Sequence, residues 1–474
     1  MHRSVMLIKC GLFALISFLV VVPAFAQWEP DVRLTYNDSA SYTSPNNAWC
    51  VATSGDTVHG VWCDYRDGNS EIYYKRSTDG GAAWGSDIRL TNDTCYSWFP
   101  SLAALSPNIH VAWVDKRDGD YKIFYKRSSD GGMTWGTDTL LSNLANYAWY
   151  PSIAVLRTNV HVVWNDWRDG NSEIYYKRSS DGGATWGSDV RLTYDPNGKG
   201  YASVAVSDSN VHVLWLDYRD GLYSEIYYKR STDMGATWEP DSRLTNDPAP
   251  SSYPCVAVSG STIHVVWTDG RNGSSGEIYY KRSTDRGIVW EPDTRLTYDP
   301  ATSWYPSIAA SGFQVHMVWW DNRDSNFEIY YMRSTDGGGA WEPSVRLTND
   351  PDTSRGPHIA ISGSRVHVVW MDHRDGNNEI YYKRNPTGNS GIGENRDQGV
   401  EGTKGPGVRI TPNPFTAFAT IPGHEGDRFV LYNISGRVSG IYKGDKIGAD
   451  LSPGVYFVKE VMQKSPLLRI VKIR

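Results

Sequence analysis

The sequence predicts an all-β fold: a seven-bladed β-propeller followed by a small C-terminal β-sandwich. The first observation is a repeat, since seven histidines recur every 51 or 52 residues, at His59, His110, His161, His212, His264, His316 and His367. The second is that the repeat begins with the last segment of a unit and ends with a unit that lacks this segment. Residues 28–35 copy the end of an internal unit, residues 238–245, and the last unit stops at Arg384 without that ending. The third is the content of 30 Tyr and 20 Trp, because aromatic side chains pack well on a pleated surface.

Each unit contains four short strands. In the third unit they fall at residues 152–155, 160–164, 173–178 and 190–193, and Asp-Gly turns separate them. Four antiparallel strands with a period near 50 residues are typical of a propeller blade. Strands that converge on a central axis leave little room, and one first-strand position is alanine in all seven units: Ala52, Ala103, Ala154, Ala205, Ala257, Ala309 and Ala360.

The two cut ends predict a closed ring. Residues 28–35 supply the fourth strand that the last unit lacks, so we expect them to pair with the blade formed by residues 359–383. This pairing would cover two strand edges that otherwise promote aggregation.

The turns between third and fourth strands share the pattern Ser-x-Asp-x-Gly-x-x-Trp. Six units match it in register, at residues 77–84, 128–135, 179–186, 231–238, 283–290 and 334–341. The Asp carboxylate can accept turn N–H groups, Gly permits a positive φ, and Trp packs the hairpin onto the blade. These turns resemble the Asp-box (BNR) repeats of sialidase-like β-propellers. The seventh unit departs from the pattern, since residues 385–388 read Asn-Pro-Thr-Gly.

The resemblance implies that the boxes are structural and lie on the face away from the ligand site. It does not carry sialidase chemistry with it. Sialidases share an early Arg-Ile-Pro segment, an arginine triad, a Tyr/Glu nucleophile pair and an Asp acid. This chain has no Arg-Ile-Pro, and its arginines recur in blade after blade. The sequence therefore favours a binding protein over an enzyme.

The N-terminus predicts export. Basic residues flank the start, residues 10–22 are apolar, and Ala24-Phe25-Ala26 precedes Gln27 as a cleavage site. We interpret residues 1–26 as a signal peptide, residues 27–385 as the propeller and residues 386–407 as a flexible Gly-rich linker. The mature chain is expected to be secreted or held at the outer cell surface, and no other stretch could span a membrane.

Residues 408–474 resemble a type IX secretion C-terminal sorting domain. The resemblance is carried by residues 411–415, 430–437, 450–458 and 469–473, which occur in the order of that family. It implies a small β-sandwich recognised by the outer-membrane secretion machinery. An ordinary C-terminal adhesion sandwich is the alternative.

The net charge and the cysteine content bear on three further features: nucleic-acid binding, disulfide bonds and metal sites. The net charge of −6 gives no broad attraction to nucleic acid. Beyond the signal peptide the cysteines are Cys50, Cys63, Cys95 and Cys255, and of these Cys50 and Cys63 face each other across a predicted hairpin and could form a disulfide. No metal-ligand spacing occurs, so we predict no metal and no cofactor.

Residues present in every blade are expected to be structural. An Asp-x-Arg pair follows each second strand, as in Asp64 and Arg66, and a Glu begins the third strand in six blades. We expect each Arg to pair with that Glu across the hairpin; the alternative is a charged ring around the mouth. Sevenfold rotation sets the histidines too far apart to share one metal ion, so we interpret them as packed, hydrogen-bonded residues between blades.

Residues that differ between blades mark the candidate ligand site. Aromatic pairs precede the first strand in three blades, and their faces could stack on sugar rings at the mouth of the central funnel. Blade 7 carries polar residues in this region, and three of them are expected to converge in one sector. The candidates are Trp98, Trp149, Tyr150, Trp304, Tyr305, Arg355, His358 and His373.

The sequence thus predicts a secreted or cell-surface propeller that recognises an extracellular carbohydrate or protein through the funnel mouth. Two alternatives remain. One is an exo-acting, sialidase-like glycoside hydrolase, which needs a carboxylate pair around one sugar or a Tyr nucleophile near a Glu. The other is a structural envelope protein without a small ligand.

Overall fold

The structure, a computed structural model, describes residues 28–44, 49–142, 147–273 and 276–388, and C-terminal segments between residues 419 and 472. The chain divides into two compact units between residues 393 and 394. Every regular element of the described residues is a β-strand. None of these residues belongs to a helix of the length and apolarity that a bilayer span requires. The predicted signal peptide and residues 389–407 of the predicted linker lie outside the described residues.

Seven four-stranded antiparallel blades form the first unit, as predicted, and strand order runs outward from a central axis. The first strands are Ser97–Leu105, Ala148–Leu156, Lys199–Ser207, Ser251–Ser259, Ser303–Ser311 and Ser354–Ser362 in blades 2–7, and in blade 1 two pieces, Ser41–Tyr42 and Val51–Ser54. The second strands are Thr57–Asp64, Asn108–Asp115, Asn159–Asp166, Asn210–Asp217, Thr262–Asp269, Gln314–Asp321 and Arg365–Asp372.

The outer half of each blade is a longer third strand and a two-residue fourth strand. The third strands are Glu71–Ser77, Lys122–Ser128, Glu173–Ser179, Glu225–Ser231, Glu277–Ser283, Glu328–Ser334 and Glu379–Asn385. The fourth strands are Ile88–Arg89, Thr139–Leu140, Val190–Arg191, Ser242–Arg243, Thr294–Arg295 and Val345–Arg346 in blades 1–6, and Val32–Arg33 in blade 7.

The N-terminal strand closes the ring, which confirms the prediction. Val32 pairs with Tyr382 and Arg33 with Tyr381 in an antiparallel register. Arg33 also bonds the buried carboxylate of Glu379 at 2.9 Å, and Thr35 donates its hydroxyl to the same carboxylate. Blade 7 is therefore built from both ends of the propeller sequence.

The seven first strands surround a central channel of about 220 Å³. All seven predicted alanines line it, and each is buried. The prediction that convergence on the axis leaves room only for a small side chain is confirmed at this position.

The repeated histidines are buried and hydrogen-bonded, as predicted. His59 Nδ1 lies 2.7 Å from the Tyr74 hydroxyl of the third strand, and the other six blades repeat the pair at 2.6–2.8 Å. The bond lies within one blade rather than between blades. The tyrosine makes the inter-blade contact, since a Cβ added at Gly132 of the next blade would overlap the Tyr74 hydroxyl.

The Asp boxes have the predicted turn geometry. Ser77 Oγ donates to Asp79 at 2.7 Å, and the Asp79 carboxylate accepts the Ala83 N–H at 2.9 Å. The box Trp, however, packs on the preceding blade as well as on its own hairpin. Trp135 meets Tyr74 edge-on at 4.9 Å, and Arg76 donates to the Gly131 carbonyl at 2.7 Å.

The degenerate seventh box keeps this inter-blade link. Asn385 takes the place of the Ser and accepts the N–H of Gly388 at 2.9 Å. Arg333 of blade 6 donates to the Gly388 carbonyl, as Arg76 does to Gly131. The contact survives the loss of the motif because it uses a backbone oxygen.

The predicted Arg–Glu pairs of the Asp-x-Arg loops are wrong, although the loops are structural. Arg66 bonds its own Asp64 at 2.6 Å and also Asp87, which directly precedes the fourth strand, at 2.6 Å. Glu71 is already bonded by Arg89 of the fourth strand at 2.8 Å. Because Asp64 also accepts the Arg66 N–H, the guanidinium folds back over the loop instead of crossing to Glu71.

In two blades both residues of an ion pair are replaced together. Blade 6 has Met332 and Ser344 where blade 1 has the pair Lys75 and Asp87, 2.8 Å apart. Blade 2 has Lys122 and Leu140 where the other blades pair a Glu with an Arg. Joint replacement is expected of half-buried pairs, because removal of one partner leaves an uncompensated charge.

The four described cysteines, Cys50, Cys63, Cys95 and Cys255, are free thiols, so the Cys50–Cys63 disulfide is not formed. Burial raises the pKa of the Cys50 thiol to about 12.

The second unit contains two antiparallel sheets in the described residues. One sheet has the order Val438–Lys443, Arg428–Asn433, Gly454–Glu460 and Leu468–Lys472; the other pairs Ala419–Thr420 with Lys446–Ile447. Residues 411–415, the first phrase of the predicted sorting domain, lie outside the described residues.

The buried histidines predict a pH-dependent stability. Burial, with a smaller contribution from a nearby Arg, lowers the pKa of all seven from 6.5 to about 3 or 4. Below pH 6.5 the unfolded chain gains protons that the folded chain does not, so the free energy of unfolding decreases as pH falls. Each histidine contributes on the order of 1.4 kcal/mol per pH unit well below 6.5. Urea unfolding at pH 7.0, 6.0 and 5.5 tests this, and equal stabilities would contradict it.

Ring closure predicts that Arg33→Met destabilises the propeller by on the order of 3 kcal/mol, because it leaves Glu379 buried without its cation. Arg89→Met is the matched control, since Arg89 makes the same contact to Glu71 within blade 1. Denaturant unfolding should give similar losses for both variants. A loss for Arg89→Met alone would mean that residues 28–35 do not dock on blade 7.

Candidate functional site

The loops of the propeller lie on two opposite faces. The connectors between blades meet the second-to-third-strand loops on one face, where Ser97 N–H donates to the Ser70 carbonyl at 2.9 Å. The Asp boxes meet the first-to-second-strand hairpins on the other, where Gly131 N–H donates to the Pro107 carbonyl at 2.8 Å. We call these the mouth face and the box face. All eight candidate residues belong to elements at the mouth end of their blades.

A bulge near the start of the first strands sets the shape of the mouth. The strand register is interrupted there, as between Trp98 and Ser101. The residue inside each bulge has a left-handed backbone in five blades: Phe99 (φ 53°), Tyr150 (56°), Tyr201 (52°), Tyr253 (55°) and Tyr305 (52°). This conformation is costly for a bulky side chain and is typical of functional sites, where bulges re-aim side chains.

These five rings form a continuous arc, which we call the mouth belt. Neighbouring ring centroids are 5.0, 4.9, 4.8 and 3.9 Å apart in chain order. Burial raises the pKa of Tyr201 and Tyr305, so both hydroxyls stay protonated. The belt spans blades 2–6 and is interrupted at blade 7, where Gly356 takes the equivalent position with φ 59°.

An apolar cavity of about 420 Å³ lies beside this gap. Trp98 donates its indole N–H to the Tyr65 hydroxyl at 2.9 Å, which fixes one wall. The lining combines residues of blades 1, 2, 3 and 7: Tyr42, Thr43, Cys63, Tyr65, Trp98, Phe99, Trp149 and Met371. Stacked aromatic walls of this kind suit the apolar C–H face of a sugar ring.

A second, more polar cavity of about 380 Å³ adjoins the first, and Tyr42 and Met371 line both. Its other lining residues are Thr353, Arg355, His373 and Asn378.

Arg355 is half-buried in this cavity without a carboxylate partner. Its guanidinium stacks on Phe327 at 4.6 Å and on Trp320 at 5.1 Å, and its buried Nε has no hydrogen-bond partner in the described part of the chain. Burial accordingly lowers its pKa. Buried cations are normally paired, so the Arg355 guanidinium beside this cavity keeps unused hydrogen-bonding capacity.

The structure brings some of the candidate residues together and separates others. Trp98 and Trp149 line the apolar cavity, and Arg355 and His373 the polar one. Tyr150 and Tyr305 belong to the mouth belt.

Trp304 and His358 line neither cavity. Trp304 packs edge-on against Trp320 at 6.3 Å. His358 is buried between blades 7 and 1, with Nε2 3.0 Å from the Ser44 carbonyl, so it does not converge with Arg355 and His373.

Sequence reasoning missed Tyr42, Tyr65 and Met371 on the cavity walls. Tyr65 occupies the middle of its Asp-x-Arg loop, the position of His373 in blade 7. The residue at that position differs between blades, and this difference could have identified Tyr65 as a candidate from the sequence. Tyr42 and Met371 carry no such signal, because their role depends on blades 7 and 1 meeting in space.

The carboxylates near the mouth form hydrogen bonds and ion pairs within the blades. Burial alone would raise the pKa of Asp64, but hydrogen bonds from Arg66 and Trp62 lower it, so the group stays ionised at neutral pH. Among described residues 28–388, each third-strand Glu bonds the Arg that ends the fourth strand and the Thr two residues after it. Each other Glu in this range pairs with an Arg on the box face. No Asp or Glu of the described chain lines either cavity. Nor does that part of the chain contain a His, Cys, Asp and Glu cluster suited to a metal ion.

Comparison with known proteins finds carbohydrate-active relatives. The chain is 23% identical over 319 residues to Xyloglucanase Xgh74A of Acetivibrio thermocellus, covering 63% of this chain and 31% of that protein. It is 24% identical over 261 residues to a sialidase of Paraclostridium sordellii, covering 46% of this chain and 62% of that protein. The chain thus spans less than two thirds of either relative.

The fold is also similar to that of solved propellers. A polysaccharide lyase, an ulvan lyase bound to -[GlcA(1-4)Rha3S]-, superposes with a TM-score of 0.54 at 11% identity, covering 74% of this chain and 95% of the lyase. This likeness concerns the fold alone. The sequence profile described as a BNR repeat-like domain matches residues 20–265, just over half of the 474 residues. The chain therefore belongs to the BNR repeat-like domain family.

Proposed function

We propose that the propeller binds a glycan at the mouth face, with sugar rings in the apolar cavity and their polar substituents at Arg355 and His373. The observation that carries the proposal is the junction of the two cavities. An aromatic wall of Trp98 and Trp149 adjoins a polar pocket that holds an unpaired guanidinium. Ligand sites commonly combine a mostly apolar lining with a few convergent polar groups.

The relatives support a carbohydrate ligand. The curated relatives are named as a xyloglucanase and a sialidase, and the structural neighbour as an ulvan lyase. A protein ligand, which the sequence leaves open, has no comparable support.

Binding without hydrolysis is the activity we propose. A glycosidase places two carboxylates around the scissile bond, or a Tyr nucleophile beside a Glu. The absence of Asp and Glu from the described lining of both cavities favours recognition over turnover. A sialidase-like hydrolase is the second candidate, and the sialidase relative favours it.

We further propose that the protein acts outside the cell. Residues 1–26 would direct export, and the C-terminal unit would engage the outer-membrane secretion machinery as a sorting domain. Tagged full-length protein should be found at the cell surface or in the medium, and should remain in the periplasm when residues 408–474 are deleted.

The aromatic wall predicts loss of binding on truncation. Trp98→Ala and Trp149→Ala should each weaken binding about tenfold, because each removes a stacking surface worth about 1.4 kcal/mol. Affinity electrophoresis in xyloglucan and ulvan, with calorimetry on sialyl-oligosaccharides, measures this. Trp167→Ala is the control, since Trp167 is exposed on the mouth face and lines neither cavity.

Three outcomes separate the candidate functions. Equal binding by wild type and both variants would contradict the proposed site. Release of reducing sugar from any of these substrates would support the hydrolase instead. If no binding and no release of reducing sugar is detected in any assay, a structural role is favoured.

Arg355 is predicted to serve binding rather than stability. Arg355→Met should change the free energy of unfolding by less than about 1 kcal/mol, because only ring stacking is lost. Arg374→Met, the matched control in the same blade, should cost on the order of 3 kcal/mol by leaving Asp372 buried without its cation. Denaturant unfolding compares them, and equal losses would show that Arg355 is structural.

A further inference from the structure

Blade 2 and its border with blade 3 carry aromatic residues on the mouth face where the other blades, except blade 6 with Phe327, have small or polar ones. Tyr96 and Tyr147 stand two residues before Trp98 and Trp149; the equivalent residues elsewhere are Ala40, Gly198, Pro250, Thr302 and Thr353. Tyr121 precedes the third strand of blade 2; its equivalents are Ser70, Ser172, Ser224, Gly276, Phe327 and Asn378. The aromatic set is therefore an addition to the repeat.

The added rings form one surface that starts at the apolar cavity. Trp98, on its wall, stacks on Tyr96 at 4.9 Å with the planes 7° apart, and on Tyr121 at 5.9 Å. Tyr121 continues to Trp149 at 4.4 Å and to Tyr147 at 5.4 Å. We call Tyr96, Tyr121 and Tyr147 the blade-2 track.

The track leads away from the axis. Trp98 belongs to the first strand, nearest the channel, whereas Tyr121 directly precedes the third strand. Exposure is substantial at its borders, 43% for Tyr96 and 51% for Tyr147. Lys116, half-buried, lies 5.1 Å from the Tyr121 ring centroid and adds a hydrogen-bond donor at the edge of the track.

Blade stability does not explain the track. Blades 1, 3 and 4 complete the same four-stranded sheet with a serine at the position of Tyr121. Blades 6 and 7 do so with a threonine at the position of Tyr96. A contiguous, partly exposed aromatic surface beside a cavity instead marks a binding surface.

We propose that the ligand is a glycan chain recognised along its length, with further sugar units stacked on the blade-2 track outside the apolar cavity. This rests on the proposed function and names its ligand class: an oligosaccharide or polysaccharide, not a single terminal sugar. A terminal sugar would fill the cavity and leave the track unused. Centroid separations of 4.4–5.9 Å show that the track is contiguous, so its exposed parts can contact successive sugar units.

Chain length is the variable that tests the proposal. Wild-type protein is titrated with monosaccharide to hexasaccharide fragments of xyloglucan and of ulvan, and with the intact polymers. We expect affinity to rise at least tenfold from disaccharide to hexasaccharide. The variant Tyr96→Thr/Tyr121→Ser/Tyr147→Thr should lose about tenfold in affinity for the hexasaccharide and keep wild-type affinity for the disaccharide.

Each substitution introduces a residue that the protein itself has at the equivalent position of another blade, so the blade is expected to fold. Thermal unfolding checks this, and the variant should unfold at the same temperature as the wild-type protein. Tyr298→Asn is the matched control: Tyr298 is 72% exposed in the connector of blade 5, and blades 1, 4 and 6 have Asn there. It should bind as wild type.

The outcomes distinguish the two proposals. The proposal of an extended site on the track would be wrong if disaccharide and hexasaccharide bound with equal affinity. It would also be wrong if the track variant bound the hexasaccharide as the wild-type protein does. In both cases the proposed site at the cavity would remain. Failure of every probe to bind wild-type protein would overturn both.

Discussion

Ring closure is the constraint on which the rest of the structure depends. Two backbone pairs join Val32 and Arg33 to blade 7, and Arg33 with Thr35 satisfies the buried Glu379. Closure also builds the candidate site, since Met371 of blade 7 reaches the cavity walls only because blade 7 lies next to blade 1. Tyr42 and Tyr65 of blade 1 complete the wall that Trp98 of blade 2 continues. An open array of the same units would have the belt but not the paired cavities.

Comparison of equivalent positions separates structural from functional side chains. Some positions that hold a blade together change in pairs, as Met332 with Ser344 and Lys122 with Leu140 show. Several positions at the mouth change without introducing a charged partner for the new side chain. Arg355 is the clearest case: it stands where blades 2, 3 and 6 have Trp, and it stacks on aromatic rings instead of pairing with a carboxylate. Repetition thus provides an internal reference for each blade.

Much of the fold followed from the sequence, because each unit repeats the same evidence seven times. The ring, its closing strand, the channel alanines and the buried histidines were all predictable in this way. Contacts between blades were less so: the Trp of each box packs on the preceding blade, and Arg66 finds Asp87 rather than Glu71. These choices depend on three-dimensional proximity that no single unit encodes.

The mouth was the least predictable region. Tyr150 and Tyr305 precede proline, which locally favours an extended backbone, yet both adopt a left-handed one. His358 looked equivalent to Arg355 and His373 but turns into the border between blades 7 and 1. Strand pairing and packing override the local preference in each case.

The closing strand has a topological consequence. Glu29 N–H donates to the Arg384 carbonyl at 3.0 Å, so the propeller sequence begins and finishes side by side on one sheet edge. A short peptide could join these ends, and new termini could then be opened in any Asp-box turn without breaking a strand pair. Circular permutants of the propeller should therefore retain the native architecture, whichever blade becomes the composite one.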